Sequence, residues 1–129
     1  MTELKDEIKK HLECDDMGEL SWMLGIEIKR DRQKRLIRMS QETYIKNILE
    51  RYDFKDIKPV VTPVDPSVQL TLTETATKED ETFMADKPYR AAIGALMYLV
   101  VGTRPDIAFA TITLARYSND PRPIHWKAI

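Results

Sequence analysis

Six cationic side chains crowd one ten-residue stretch: Lys29, Arg30, Arg32, Lys34, Arg35 and Arg38, set against the single acid Asp31. Cations at that density neutralise phosphates, giving binding that is salt-sensitive and indifferent to base sequence. The same pattern also suits a solvated surface turn, and at this point both readings stand. Arg104, in Gly-Thr-Arg-Pro-Asp, poses a similar choice. It either contacts a phosphate or pairs with Asp106 to hold a helix corner, and the second reading is preferred. The adjacent acids Asp15 and Asp16 bring two-metal chemistry to mind, because such sites need neighbouring carboxylates. They stand in Glu-Cys-Asp-Asp-Met-Gly, before a glycine and away from any β-rich turn, so a solvated loop is expected. His11 and His125 are remote from each other and Cys14 is the lone thiol, which leaves no metal-ligand spacing. No Gly-rich phosphate loop, Ser-His-Asp order or H-E-x-x-H motif occurs. Neither a catalytic site nor a cofactor is expected in this chain. Trp22 and Trp126 carry flat faces able to stack on bases, but the pattern around Trp22 makes it a core residue first.

The elements that position these residues follow from periodicity. Leu4, Ile8 and Leu12 recur at four-residue spacing among charged residues, predicting a short amphipathic helix whose narrow stripe something must cover. After Gly18 the chain alternates: Leu20, Trp22, Leu24, Ile26 and Ile28 on one side, Ser21, Met23, Gly25, Glu27 and Lys29 on the other. That period of two predicts one continuous strand. A polar connector, Asp31 to Lys34, leads to a second β-favouring run, Leu36 to Met39, so an antiparallel hairpin with the basic patch at its tip is expected. Ser40 suits the N-cap of a helix with Tyr44, Ile45, Ile48, Leu49 and Tyr52 on its apolar face.

Pro59, Pro63 and Pro66 then exclude regular helix, and Val60, Val61 and Val64 favour extended chain packed on a neighbour. From Thr71 to Ala85 the sequence is rich in Thr and Glu without clear period, which reads as a linker and a boundary. Glu74, Glu79, Asp80, Glu81 and Asp86 make this region acidic. Pro88 opens a helix, Tyr89 to Val101, that is apolar nearly all round and should be buried on most sides. Gly102 ends it, and Pro105 starts another helix that stops at Asn119, Asp120 and Pro121. The last residues, Ile124 to Ile129, look like the opening turn of one more helix.

At 129 residues, with 43% hydrophobic and 32% charged residues and a net charge of −1, the chain has the composition of a soluble globular protein. Its longest apolar run is well short of the roughly 20 residues that cross a bilayer. A charged N-terminus without the apolar stretch of a signal peptide, together with a single cysteine, points to a reducing intracellular setting, cytoplasmic or nuclear.

Five blocks in order, MGELSWMLGIEIKRD, LIRMSQETYIKNILERYDF, VVTPVDPSVQL, PYRAAIGALMYLVVGTRPDIAFA and the closing HWKAI, resemble the C-terminal part of the reverse transcriptase of copia-type retrotransposon Pol polyproteins. The resemblance runs over almost the whole chain. It implies that Leu24, Gly25, Ile26, Glu27 and Ile28 belong to a hairpin that grips the primer strand beside the palm. It also implies that Gln41 to Tyr52 and Tyr89 to Ala115 form thumb and connection helices leading towards a ribonuclease H domain. Lys29, Arg30, Arg32 and Lys34 would then lie where a template-primer backbone passes. The family's Tyr-x-Asp-Asp hairpin and its other metal-binding Asp precede the matching region, and Asp16 corresponds to the loop acid before the family's glycine. Leu12 stands where the family has Phe and Cys14 where it has Met, both mild core changes.

The expected architecture is therefore α+β: a β-hairpin with flanking amphipathic helices and a C-terminal helical hairpin, part of a polymerase palm and thumb. Residues 1–70 would hold the end-of-palm hairpin and thumb-like helix, 71–86 an acidic linker and 87–129 a truncated connection segment. The parent would be an RNA-directed DNA polymerase using Mg2+, with an RNA-DNA template-primer and the rest of the Pol polyprotein as partners and no membrane. The isolated chain would be no enzyme. The alternative is a domesticated or degenerate retroelement remnant, acting as a small interaction protein or not at all.

Overall fold

The computed structural model describes residues 2–64, 70 and 75–129. The chain gathers into two compact units, Met1–Met39 and Ser40–Ile129. Helix and sheet both occur, as an α+β chain requires.

The first unit opens with α1, Thr2–His11, whose Glu3 lies in the first turn and whose Lys9, Lys10 and His11 lie in the last, the arrangement that the helix dipole favours. Three strands follow, β1 Trp22–Met23, β2 Ile26–Asp31 and β3 Leu36–Ser40, in the sheet order β1-β2-β3. The expected long strand is folded back on itself. Leu24 (φ 50°) and Gly25 (φ 76°) both take left-handed backbone and make a two-residue turn, so that β1 pairs antiparallel with β2 in the register Trp22 to Glu27 and Met23 to Ile26. Such a turn needs positive φ at both central residues because only then does its twist match that of the strands. Residues directly opposite share a face. Met23 therefore sides with Ile26, and Trp22 sides with Glu27, so the apolar stripe read from the alternation is divided between the two faces.

Cover is sparse in this unit. Leu4 is 62%, Leu12 65% and Trp22 49% exposed, which corrects the placing of Trp22 in a core. Alternation tells which face a strand residue takes, and it is silent about whether a second layer lies over that face.

The second unit holds α2 Glu42–Arg51, α3 Lys78–Met84, α4 Tyr89–Gly102, α5 Ala108–Ala115 and α6 Pro123–Lys127, with a 3-10 turn at Pro105–Ile107 leading into α5. Here the core forms. Ile48 of α2 and Tyr52 capping its C-terminus, Tyr89, Ala92, Ile93 and Leu99 of α4, Leu114 of α5 and Trp126 of α6 are buried together. The residue capping α2 is Gln41, while the Ser40 hydroxyl accepts the Glu42 amide at 3.2 Å. Gln41 is buried. Its Nε2 donates to the Tyr98 carbonyl at 3.4 Å and its Oε1 accepts the Thr103 hydroxyl at 2.8 Å, tying α2 to the end of α4.

Three further expectations are revised here. Within the acidic segment, α3 is a helix, closed by a capping box in which the Thr77 hydroxyl accepts the Asp80 amide and the Asp80 carboxylate accepts the Thr77 amide. Residues 71–74 of the expected linker, like Pro66, lie outside the described residues. On α4 the residues Arg90, Ala91, Gly94, Met97 and Val101 recur at helical spacing and are exposed, so this helix is covered on one side rather than on most. Val60 and Val61 are exposed rather than packed, for the prolines at 59 and 63 deny this stretch the amides with which a strand would bind a neighbour.

His125 is fully buried and takes two backbone hydrogen bonds. Its Nδ1 accepts the Arg122 amide at 2.9 Å, so the proton resides on Nε2, which donates to the Leu70 carbonyl at 2.9 Å. The ring stacks on Tyr117 at 4.0 Å, and the Tyr89 hydroxyl beside it donates to the Leu114 carbonyl at 2.8 Å. Neighbouring Trp126 packs edge-on against Tyr52 and tilted against Phe54, which withdraws its indole from any base.

Candidate nucleic-acid interface

The sheet of the first unit carries all six clustered cations. Strand β2 supplies Lys29 and Arg30, strand β3 supplies Arg38, and Arg32, Lys34 and Arg35 sit on the turn between them. Local chemistry shapes that turn: the Asp31 carboxylate accepts the Lys34 amide at 2.9 Å, and Arg35 takes φ 52° to bring the chain into β3. The tip is thus a defined turn of the kind in which an Asp side chain stands in for a backbone acceptor.

Half of the positive charge is already matched in place. Lys29 pairs with Glu27 at 2.9 Å, Arg32 with Glu19 at 2.5 Å and Lys34 with Asp31 at 3.6 Å. Arg32 holds the Glu19 carboxyl below its ordinary range by hydrogen bonding and by charge. Glu19 lies thirteen residues from Arg32, and nothing in the local pattern announced that pair. Among the described residues, Arg30, Arg35 and Arg38 have no acid within ion-pair distance. The single patch seen in the sequence therefore divides into a trio held in direct ion pairs and a trio outside ion-pair distance, of which Arg30 still acts through space on the Glu19 carboxylate.

Leu24, Gly25, Ile26 and Glu27 come together at the opposite end of β2, where the two-residue turn exposes the Leu24 side chain. A leucine in left-handed backbone carries a penalty of roughly 1–2 kcal/mol.

Arg104 lies in the second unit. Its Nε and Nη2 embrace the Asp106 carboxylate at 2.8–3.1 Å, which holds the Asp106 carboxyl below its ordinary range. The corner reading matches this geometry. Both side chains line a groove of about 250 Å³ whose floor includes Leu96, Ala110 and Leu114.

Asp16 is likewise engaged, accepting Lys5 at 2.7 Å and the Gly18 amide at 3.0 Å, and both contacts lower its pKa. Asp16 is thus committed to Lys5 and the Gly18 amide. Among the described residues no three His, Cys, Asp or Glu side chains converge as metal ligands, and no helix is long and apolar enough to cross a membrane.

Set beside known proteins, the chain is 38% identical over its whole length to the retrovirus-related Pol polyprotein from transposon TNT 1-94 of Nicotiana tabacum. It is 34% and 35% identical, over 96% of its length, to the corresponding polyproteins from transposons RE2 and RE1 of Arabidopsis thaliana. No family model matches the chain, and no solved structure does. The chain is thus similar over nearly its whole length to retroelement Pol polyproteins. It belongs with the retrovirus-related Pol polyproteins of copia-type transposons, and spans 8–10% of the length of these relatives.

Proposed function

We propose that the hairpin unit positions a template-primer nucleic acid for the reverse transcriptase activity of a longer Pol polyprotein, and that the isolated chain polymerises nothing. The observation that carries this reading is the trio Arg30, Arg35 and Arg38, on and beside a defined turn, which among the described residues has no acid within ion-pair distance. Unmatched guanidiniums on a pre-shaped support bind phosphate oxygens without first giving up another partner. Membership among Pol polyproteins supplies the context in which an RNA-DNA hybrid is the natural polyanion. In this reading Leu24, Gly25, Ile26 and Glu27 form the primer-grip-like turn, and Lys29, Arg32 and Lys34 contribute only where a phosphate displaces their acids. Arg104 serves the corner.

A parent polymerase would use Mg2+, and the carboxylates described in this chain do not fit that role. Asp16 is spent on Lys5 and the Gly18 amide, and no other acid converges with it among the described residues. In this reading the catalytic carboxylates come from the remainder of the polyprotein, the chain's second partner.

Fluorescence anisotropy of a labelled RNA-DNA hybrid titrated with the chain at two ionic strengths tests the proposal. Binding that weakens steeply with added salt is expected. Binding that is absent, or indifferent to salt, would contradict it.

A further inference from the structure

We infer that His125 is an acid-sensitive latch: a proton taken up by its ring frees α6 from the Leu70 backbone while the rest of the second unit stays folded. The latch lies wholly in that unit and does not depend on nucleic acid. The side chain is 0% exposed, and both ring nitrogens are committed to backbone groups. Nδ1 holds no proton, because it accepts the Arg122 amide at 2.9 Å, and Nε2 gives its own to the Leu70 carbonyl at 2.9 Å. A second proton has only Nδ1 to go to, where it meets the amide N–H head-on. The Arg122 bond is then lost, and a charge is left in a site sealed from water. Histidine is the side chain that takes up such a proton on mild acidification.

The surroundings offer an imidazolium no carboxylate. Among the described residues no acid lies within ion-pair distance of His125, since Asp120 and Asp80 face Arg122 instead, at 2.9 and 3.8 Å. The Arg122 guanidinium itself has the same sign as the new charge. The remaining groups at the ring are Tyr117, stacked at 4.0 Å, and Tyr89 of α4 at 6.5 Å, phenols that carry no charge in mild acid. A tyrosine face attracts a cation, but that gain is smaller than the cost of burying an unpaired charge. The element that yields is α6. Its five residues are too few to persist as a helix without packing. Arg122, at its start, already has a buried Nε that lacks a partner among the described residues. With the histidine bonds gone, α6 keeps only the Arg122 ion pairs and the packing of Trp126 on Tyr52 and Phe54.

The test uses the intact chain with Trp22→Phe, which leaves Trp126 as the sole tryptophan. As pH falls from about 7.5 to about 5, the Trp126 emission is expected to shift to the red and to become open to quenching by iodide, reversibly. Far-UV circular dichroism should lose only the small share that α6 contributes. The ring protons of His125, followed by NMR, are expected to titrate with the same midpoint as the emission. His125→Asn keeps an acceptor in the place of Nδ1 but takes up no proton there, and its emission is expected to stay constant over this range. If Trp126 of the parent remains buried at the acid end, the latch is overturned. It is equally overturned if the emission changes apart from the His125 signals or at the same pH in the Asn variant, since Asp80 and Asp120 would then carry the transition. Loss of the whole helical signal together with the emission change would mean that the unit unfolds as one, which also overturns it.

Discussion

Gln41 and Gly102 share one volume: the Gln41 carboxamide fills the space that a Cβ on residue 102 would take. The glycine is helical, so alanine would ordinarily be favoured there by about 1 kcal/mol. Moving the carboxamide aside, however, breaks its bonds to Thr103 and Tyr98 in a buried setting. Gly102→Ala is expected to destabilise by about 1–2 kcal/mol, read as a lower urea midpoint. In a Gln41→Ala background the same change should be neutral or stabilising. Additive effects in that double-mutant cycle would show that the two residues do not compete.

His125 is a staple between α6 and the Leu70 backbone. Substitution with Phe preserves a ring on Tyr117 but strands the Arg122 amide and the Leu70 carbonyl. A loss of about 2–4 kcal/mol in urea unfolding is expected, from two buried groups left unpaired. A loss within a few tenths would mean the two hydrogen bonds are dispensable.

Arg104 separates corner from contact. Its pair with Asp106 is substantially exposed, so breaking it is expected to have little effect on stability. Arg104→Ala is expected to leave hybrid affinity and its salt dependence unchanged. A drop in affinity with a shallower salt dependence would place Arg104 among the phosphate ligands.

Alkaline stability should track Tyr89. Burial pushes its phenol from the ordinary 10.0 up to about 12, with Tyr117 adding to the shift. The raised value favours the neutral form in the folded chain. Its stabilisation is therefore complete below pH 10 and is lost as pH rises towards 12, where the unfolded chain already ionises. Tyr44, raised in the same direction by burial, contributes to the same decline. Urea midpoints are expected to fall across that window, and to fall less for Tyr89→Phe. Equal declines in the two proteins would refute this assignment.

What the sequence made legible was mostly periodic. Helix α2 and the α4 and α5 hairpin follow the spacing of their apolar residues, and Asp106 sits where a corner partner for Arg104 belongs. The turn at Leu24 and Gly25 was hidden because alternation continues unbroken through a two-residue reversal, and Gly25 was its only mark. Helix α3 had a signal that went unused, Thr77 and Asp80 at capping-box spacing. Gln41 had none, since a buried glutamine is fixed by residues 57 and 62 positions away. In the interface the cations were visible, but their division into matched and unmatched trios depends on Glu19 and Glu27, which reach them only through the folded sheet.

The most direct measurement compares two triple variants for hybrid binding across a salt series, with circular dichroism confirming that both are folded. Replacing Arg30, Arg35 and Arg38 by Ala is predicted to remove most of the affinity and to lower the slope of log affinity against log salt by about 2–3. Replacing Lys29, Arg32 and Lys34 by Ala is predicted to lower it by less, because those cations begin bound to acids. Equal losses from the two variants, or an unmatched trio that can be removed without effect, would contradict a template-primer role for this hairpin.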